Sequence, residues 1–213
     1  MPKPTPTRDA DRTRSAILEA AFAEIYRHGF QAASVGNILK RTGLTKGALF
    51  HHFPTKKALG YAVVDEVIAQ MIRAQWVVPL STADDPVRTI LEEFRKGIDM
   101  LERAPVNLGC PLNNLAQEMS PIDRGFQRRT QKIFELWVGC YAEALERARA
   151  AGRLERSANP RELALYLVSQ IEGLLSLSKN AQSTEVLRVG WRAMKSFLDE
   201  LKTDQEIRHR GKK

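Results

Sequence analysis

The chain has 213 residues, 43% of them hydrophobic and 27% charged, enough for one sizeable core or two small domains. Its net charge of +8 favours an anionic partner. The excess is uneven: residues 1–60 hold ten Lys/Arg against four Asp/Glu, and the remainder twenty-three against twenty-one. Two cysteines, Cys110 and Cys140, are too few for a disulfide framework. The N-terminus lacks the apolar core of a secretory signal, and even the apolar run 163–177 carries Gln170 and Glu172. A cytoplasmic protein with no membrane contact is expected.

The first eleven residues, rich in Pro, Thr and charge, read as a disordered arm. A helix is expected from about Arg12 to His28, with Ile17, Ala21, Phe22 and Ile25 on one stripe and Gly29 as its stop. Ser34 is placed to cap Val35–Thr42, and Gly43 permits a reversal. Thr45 is placed to cap a helix from Lys46 to about Phe53, and Thr55 a fourth from Lys56 to roughly Val78. A linker is expected around Pro79. Asp85-Pro86 then opens a helix to about Arg103, and a short one follows between Pro111 and Pro121. Further helices are expected from Ile122 to Ala151, from Pro160 to Lys179 and from Thr184 to Leu201, before a frayed basic tail over 204–213. No segment alternates as a strand, so an all-α chain of about nine helices is expected. Two domains are expected, a small helical one over 12–60, whose third helix lies at about 46–53, and a larger helical one over 61–203.

Two short helices about Gly43 outline a helix-turn-helix, whose second helix can enter the DNA major groove. Such a helix needs a narrow, polar N-terminal end. Thr45, Lys46, Gly47 and Ala48 meet that need: the lysine can donate to guanine or phosphate, the glycine permits close approach, and the alanine methyl can touch thymine. His51 and His52 lie one turn later, within reach of the sugar-phosphate rim. Ser34 and Lys56 stand at helix starts, where N–H groups and the helix dipole favour phosphate. The expected partner is double-stranded operator DNA.

Residues from about Arg12 to Val64 resemble the DNA-binding domain of the TetR/AcrR family of transcriptional regulators. The resemblance lies in I-L-E-A-A-F-A-E-I-Y-R-H-G-F, S-V-G-N-I-L-K-R-T-G-L-T-K-G-A-L-F-H-H-F and P-T-K-K-A-L, in that order. The family typically has tyrosine where this chain has Phe50, and often a hydroxyl residue where it has Ala48, so those two hydrogen bonds are not carried over. The resemblance implies a three-helix reader joined by a fourth helix to a larger helical domain, and repression relieved by a small-molecule effector. The stretch N-L-G-C-P-L-N-N-L-A-Q-E-M-S is similar to one in a subgroup of these regulators, some of which respond to electrophiles or oxidants.

That similarity makes Cys110 a candidate for covalent switching, since it precedes a helix start at Pro111 whose N–H groups would favour a thiolate. Cys140, beside Trp137 and Tyr141, reads as a small hydrophobe. An effector pocket between the later helices is expected to draw on Phe94, Met100, Leu101, Cys110, Phe126, Phe134, Trp137 and Tyr141, with Asn113, Gln117 and Gln170 as directing groups. The apolar run 163–177 and the next helix are expected to form a homodimer interface through Leu167, Ile171, Leu174, Trp191, Met194 and Leu198. A two-fold dimer would place its readers about one helical turn apart, ~34–36 Å, on a pseudo-palindrome. Four scattered histidines supply no metal spacing, and neither a phosphate-binding Gly-rich loop nor a nucleophile–base pair is legible. An enzyme, a cofactor and a metal are therefore not expected.

Overall fold

A computed structural model describes residues 6–104 and 107–202. The tail expected over 204–213 and the first five residues of the expected arm lie outside them. Nine helices run in chain order among the described residues: α1 (Pro6–His28), α2 (Val35–Thr42), α3 (Lys46–His52), α4 (residues 56–81), α5 (Pro86–Glu102), α6 (Pro111–Met119), α7 (Arg124–Ala150), α8 (Pro160–Ala181) and α9 (Glu185–Glu200). The fold is all-α, with an isolated β-bridge between Leu154 and Lys202 among the described residues. Two expectations change here. Residues 6–11 are helical, so α1 begins inside the expected arm. Pro79 lies within helix rather than in a linker.

Pro79 is accommodated because α4 widens before it. Residues Arg73–Val77 form a π turn in which Val78 N–H donates to the Arg73 carbonyl, five residues back. This ladder adjusts to the proline's missing N–H. A second π turn, Val63–Ile68, ends with Ala69 N–H on the Val64 carbonyl.

The chain divides into two compact units, and the division departs from the expected boundary after residue 60. The first unit comprises residues 1–71 together with 111–132, and the second 72–110 together with 133–213. In the first, α1 buries Ile17, Leu18, Ala21 and Ile25, α2 buries Ile38, α3 buries Leu49, and α4 buries Leu59, Val63, Val64 and Ile68. Leu112, Leu115 and Met119 of α6 and Phe126 of α7 join that core. The Phe126 ring lies 4.6 Å from that of Phe30 and 4.8 Å from that of Tyr61, centre to centre. Gly60 makes this packing possible, because a side chain there would overlap both phenylalanine rings. The discontinuous make-up of this unit follows from these apolar side chains on α6 and α7, which lie outside the expected part over 12–60.

In the second unit, Asp85 caps α5 by accepting from Arg88 N–H at 3.0 Å. The helix buries Val87, Ile90, Leu91, Phe94 and Ile98. Ile133, Trp137, Tyr141 and Leu145 of α7 and Leu163, Leu167 and Ile171 of α8 extend this core, as do Leu187, Met194 and Leu198 of α9. Trp191 donates its indole N–H to the Leu91 carbonyl at 2.8 Å, and Arg147 reaches the Leu80 carbonyl at 2.6 Å.

Candidate DNA-reading surface and effector region

Two hydroxyl caps and a glycine shape the reader. Ser34 Oγ accepts from Asn37 N–H at 3.4 Å and Thr45 Oγ1 from Ala48 N–H at 3.2 Å. Between them Gly43 takes φ +69°, and its N–H closes α2 on the Leu39 carbonyl at 2.9 Å. Leu49 and Phe53 point inward, leaving Thr45, Lys46, Gly47 and His51 exposed and Ala48 and His52 half-buried. A Cβ on Gly47 would meet nothing closer than Thr45 Oγ1 at 3.9 Å, so packing does not require that glycine. The Lys46 ammonium lies 5.9 Å from the Phe50 ring centre. Lys56 is differently placed: its ammonium donates to the Gln31 carbonyl at 2.9 Å and sits over the Phe30 ring. Its charge is thus engaged within the unit, and only the start of α4 is left for the expected phosphate role.

Three acidic residues fix the reader from behind. Glu24 Oε1 accepts from Ser34 N–H at 3.0 Å and from the Asn37 amide at 2.9 Å. Burial pushes the Glu24 carboxyl up, but these two donors together with the nearby His28 and Arg41 outweigh it and hold it below the usual range. Glu118 of α6 accepts from Phe30 N–H and from Gln31 N–H, each at 2.8 Å. Asp123 takes the Lys57 ammonium at 2.9 Å and the Tyr61 hydroxyl at 2.7 Å. It also caps α7 through the N–H groups of Gly125 and Phe126. Lys57, Tyr61 and the Phe126 N–H hold its carboxyl far below the ordinary carboxylate range.

Part of the expected pocket lies in the second unit. Trp137 and Tyr141 are fully buried, Phe94 and Cys110 are buried, and Phe134 is half-buried. Trp76, unremarked in the sequence, stacks on Trp137 with ring centres 5.2 Å apart and meets Tyr141 edge-on at 5.8 Å. The Trp137 and Tyr141 rings meet edge-on with centres 6.2 Å apart, and neither the indole N–H nor the phenol hydroxyl has a hydrogen-bond partner among the described residues. Other expected members are elsewhere. Asn113, Gln117 and Phe126 belong to the first unit, and Met100 and Gln170 are exposed.

The expected dimer residues also need correction. Leu167, Ile171, Met194 and Leu198 are buried within their own chain, and Leu174 and Trp191 are half-buried. The stripe through Leu167 and Ile171 is core. The outward apolar residues of α8 and α9 are Leu165 (58% exposed), Tyr166 (46%), Leu177 (58%) and Val189 (50%).

The signature described as "Bacterial regulatory proteins, tetR family" matches residues 17–63, and "Transcriptional regulator LmrA/YxaF-like, C-terminal domain" matches residues 86–190. The chain belongs to the TetR family. It is 26% identical over 189 residues to an HTH-type transcriptional regulator in the lacX 3′ region of Lactococcus lactis subsp. lactis, spanning 89% of this chain and 94% of that one. It is 24% identical over 174 residues to the HTH-type transcriptional repressor DhaR of Mycobacterium sp. strain GP1, spanning 82% and 86%. The fold is similar to that of a TetR transcriptional regulator from Chloroflexus aurantiacus J-10-FL, with a TM-score of 0.82 at 23% identity, covering 92% of this chain and 98% of that one.

As a TetR-family member the protein is a DNA-binding transcriptional regulator, and the family is one of regulators rather than enzymes. No helix among the described residues is long and apolar enough to cross a membrane. Sequence reading of this TetR-family chain missed Glu24, Glu118, Asp123 and Glu172. Asp123 had a signal, since an Asp three residues before Phe126 is a helix-capping pattern. Glu172 had one too, because it continues the phase of Leu163, Leu167, Val168 and Ile171 on the buried stripe of α8. Glu24 and Glu118 offered none, as their partners lie ten or more residues away in sequence.

Proposed function

We propose that the protein is a repressor that binds a pseudo-palindromic operator as a homodimer and releases it when a small-molecule effector occupies the C-terminal part. The observation that carries this reading is the exposed edge Thr45–Lys46–Gly47 at the start of α3, capped and backed by a buried core. It has the narrow, cationic form that major-groove approach requires. Ala48 offers its methyl to a thymine, and Ser34, His51, His52 and the start of α4 at Lys56 flank the edge and take the phosphate and rim contacts. DhaR, named a repressor, supports the sign of the regulation. The exposed apolar residues Leu165, Tyr166, Leu177 and Val189 supply the two-fold interface.

Effector binding then works as a population shift: the effector favours one arrangement of α4, and the reading helices of the dimer no longer match the half-site spacing. The covalent alternative, modification of Cys110, has less support because that thiol is buried. The test is footprinting on the DNA upstream of the protein's own gene, against random duplex at matched salt. A protected inverted repeat supports the reading, and equal affinity for both duplexes overturns it. If thiol-blocking reagents release the operator from wild type but not from Cys110→Ser, the covalent version replaces the reversible one.

A further inference from the structure

The middle of α8 holds a group that DNA reading does not use. Glu172 is 8% exposed, on the same buried stripe as Leu167, Val168 and Ile171. Neither of its carboxylate oxygens has a hydrogen-bond partner among the described residues. Mid-helix backbone N–H groups are committed to the ladder and cannot serve it.

The polar groups that follow along α8 are matched, whereas Glu172 is not. Asn107 Oδ1 accepts from Gly109 N–H at 2.9 Å, and the Asn107 amide donates to Ser178 Oγ at 2.6 Å. Ser178 in turn donates to the Ser183 carbonyl at 2.6 Å. The Gln182 side chain accepts from Asn107 N–H at 3.2 Å and donates to the Asn107 carbonyl at 2.9 Å. Gln182 itself takes φ +48°, rare for a residue with a side chain. This closed set ties the loop that ends at Cys110 to the C-terminal part of α8, and the Cys110 thiol lies beside the Glu172 carboxyl. Burial still pushes that carboxyl up to about 7, the thiol moderating the effect.

A buried carboxyl with no more than a weak thiol donor beside it costs more than that contact returns, and a native fold retains one where something completes it. An anionic guest would repel it, and a purely apolar one would leave it unanswered. An ammonium group supplies both the charge and the N–H donors. We propose that Glu172 is the anchor of the effector site and selects effectors that carry a protonated primary or secondary amine on an apolar body. This rests on the reading of the second unit as the effector-binding part. Cys110, beside the carboxyl, borders the apolar body, while Glu172 takes the ammonium.

The experiment is isothermal titration of the full-length protein with hexylamine, cyclohexylmethylamine, 2-phenylethylamine and tryptamine, each against its matched alcohol. At least one amine is expected to bind about tenfold or more tightly than its alcohol, and Glu172→Gln to erase that preference while alcohol affinity stays within about twofold. If no amine outbinds its alcohol, the proposal is overturned; that comparison uses wild type alone and does not depend on how the variant folds. An amine preference that survives Glu172→Gln in a folded variant also overturns it. Gel-shift assays with operator DNA separate the two layers. An amine that binds through Glu172 without releasing DNA leaves the anchor standing and removes the effector reading.

Discussion

Glu118 and Phe30 are joined by a carboxylate-to-backbone hydrogen bond of 2.8 Å across 88 residues of sequence, and the second oxygen of Glu118 holds the next N–H, that of Gln31, at the same distance. The carboxylate thereby clasps the turn between α1 and α2. Gly29, at φ +80°, lies so close beneath it that a Cβ would stand 2.9 Å from Glu118 Oε2.

Replacing Glu118 with Ala is therefore expected to weaken operator binding although the residue lies outside the helix-turn-helix itself. The loss of two charge-assisted bonds should lower stability by about 2–3 kcal/mol. Urea denaturation and gel-shift titration of the same preparation check both effects. Unchanged DNA affinity would mean that the clasp is irrelevant to reading.

Lys46 stands exposed at the start of α3. Lys46→Ala should reduce affinity for all duplexes and flatten the dependence of log K on log salt by about one unit, the signature of one lost phosphate contact. Fluorescence anisotropy over a salt series reads this directly. A base contact would instead show as relaxed specificity with an unchanged slope.

Glu172 makes stability depend on pH with a defined sign. Its folded-state value of about 7 lies above the ordinary 4.5, so the folded state prefers the neutral acid. The protein is most stable, on this account, below about pH 4.5 and loses that share as pH rises through 7, by about 3 kcal/mol in all. Glu172→Gln should thus stabilise the protein at pH 8 relative to pH 5 by a similar amount. Denaturant midpoints at the two pH values, compared between wild type and variant, test it, and a pH-independent difference would refute it.

Leu177→Glu combined with Val189→Glu should convert a dimer to a monomer, as judged by light scattering. It should cost operator affinity by about two orders of magnitude or more through lost avidity. The equivalent change at Leu167 would instead unfold the chain, because that side chain is fully buried.

The sequence was legible where order is local. Caps and stops such as Ser34, Gly43, Thr45, Thr55 and Asp85 act within four residues, and the helices they begin lie where the pattern placed them. Tertiary choices were not. Leu167 and Leu165 are both apolar residues of one helix, and only the packing partner decides that the first is core and the second outward. In the same way the reading unit looked complete at residue 60, since nothing in α6 announces that Leu112, Leu115 and Glu118 belong with it.

That last membership limits how the protein can be recombined. A chimera that joins residues 1–71 to a foreign sensor would carry a reader without Phe126 against Phe30 and Tyr61, without the Glu118 clasp and without Asp123 on Lys57. Grafts that retune its DNA choice would have to move residues 111–132 along with the helix-turn-helix. In lineage terms the two stretches are bound to drift as a pair.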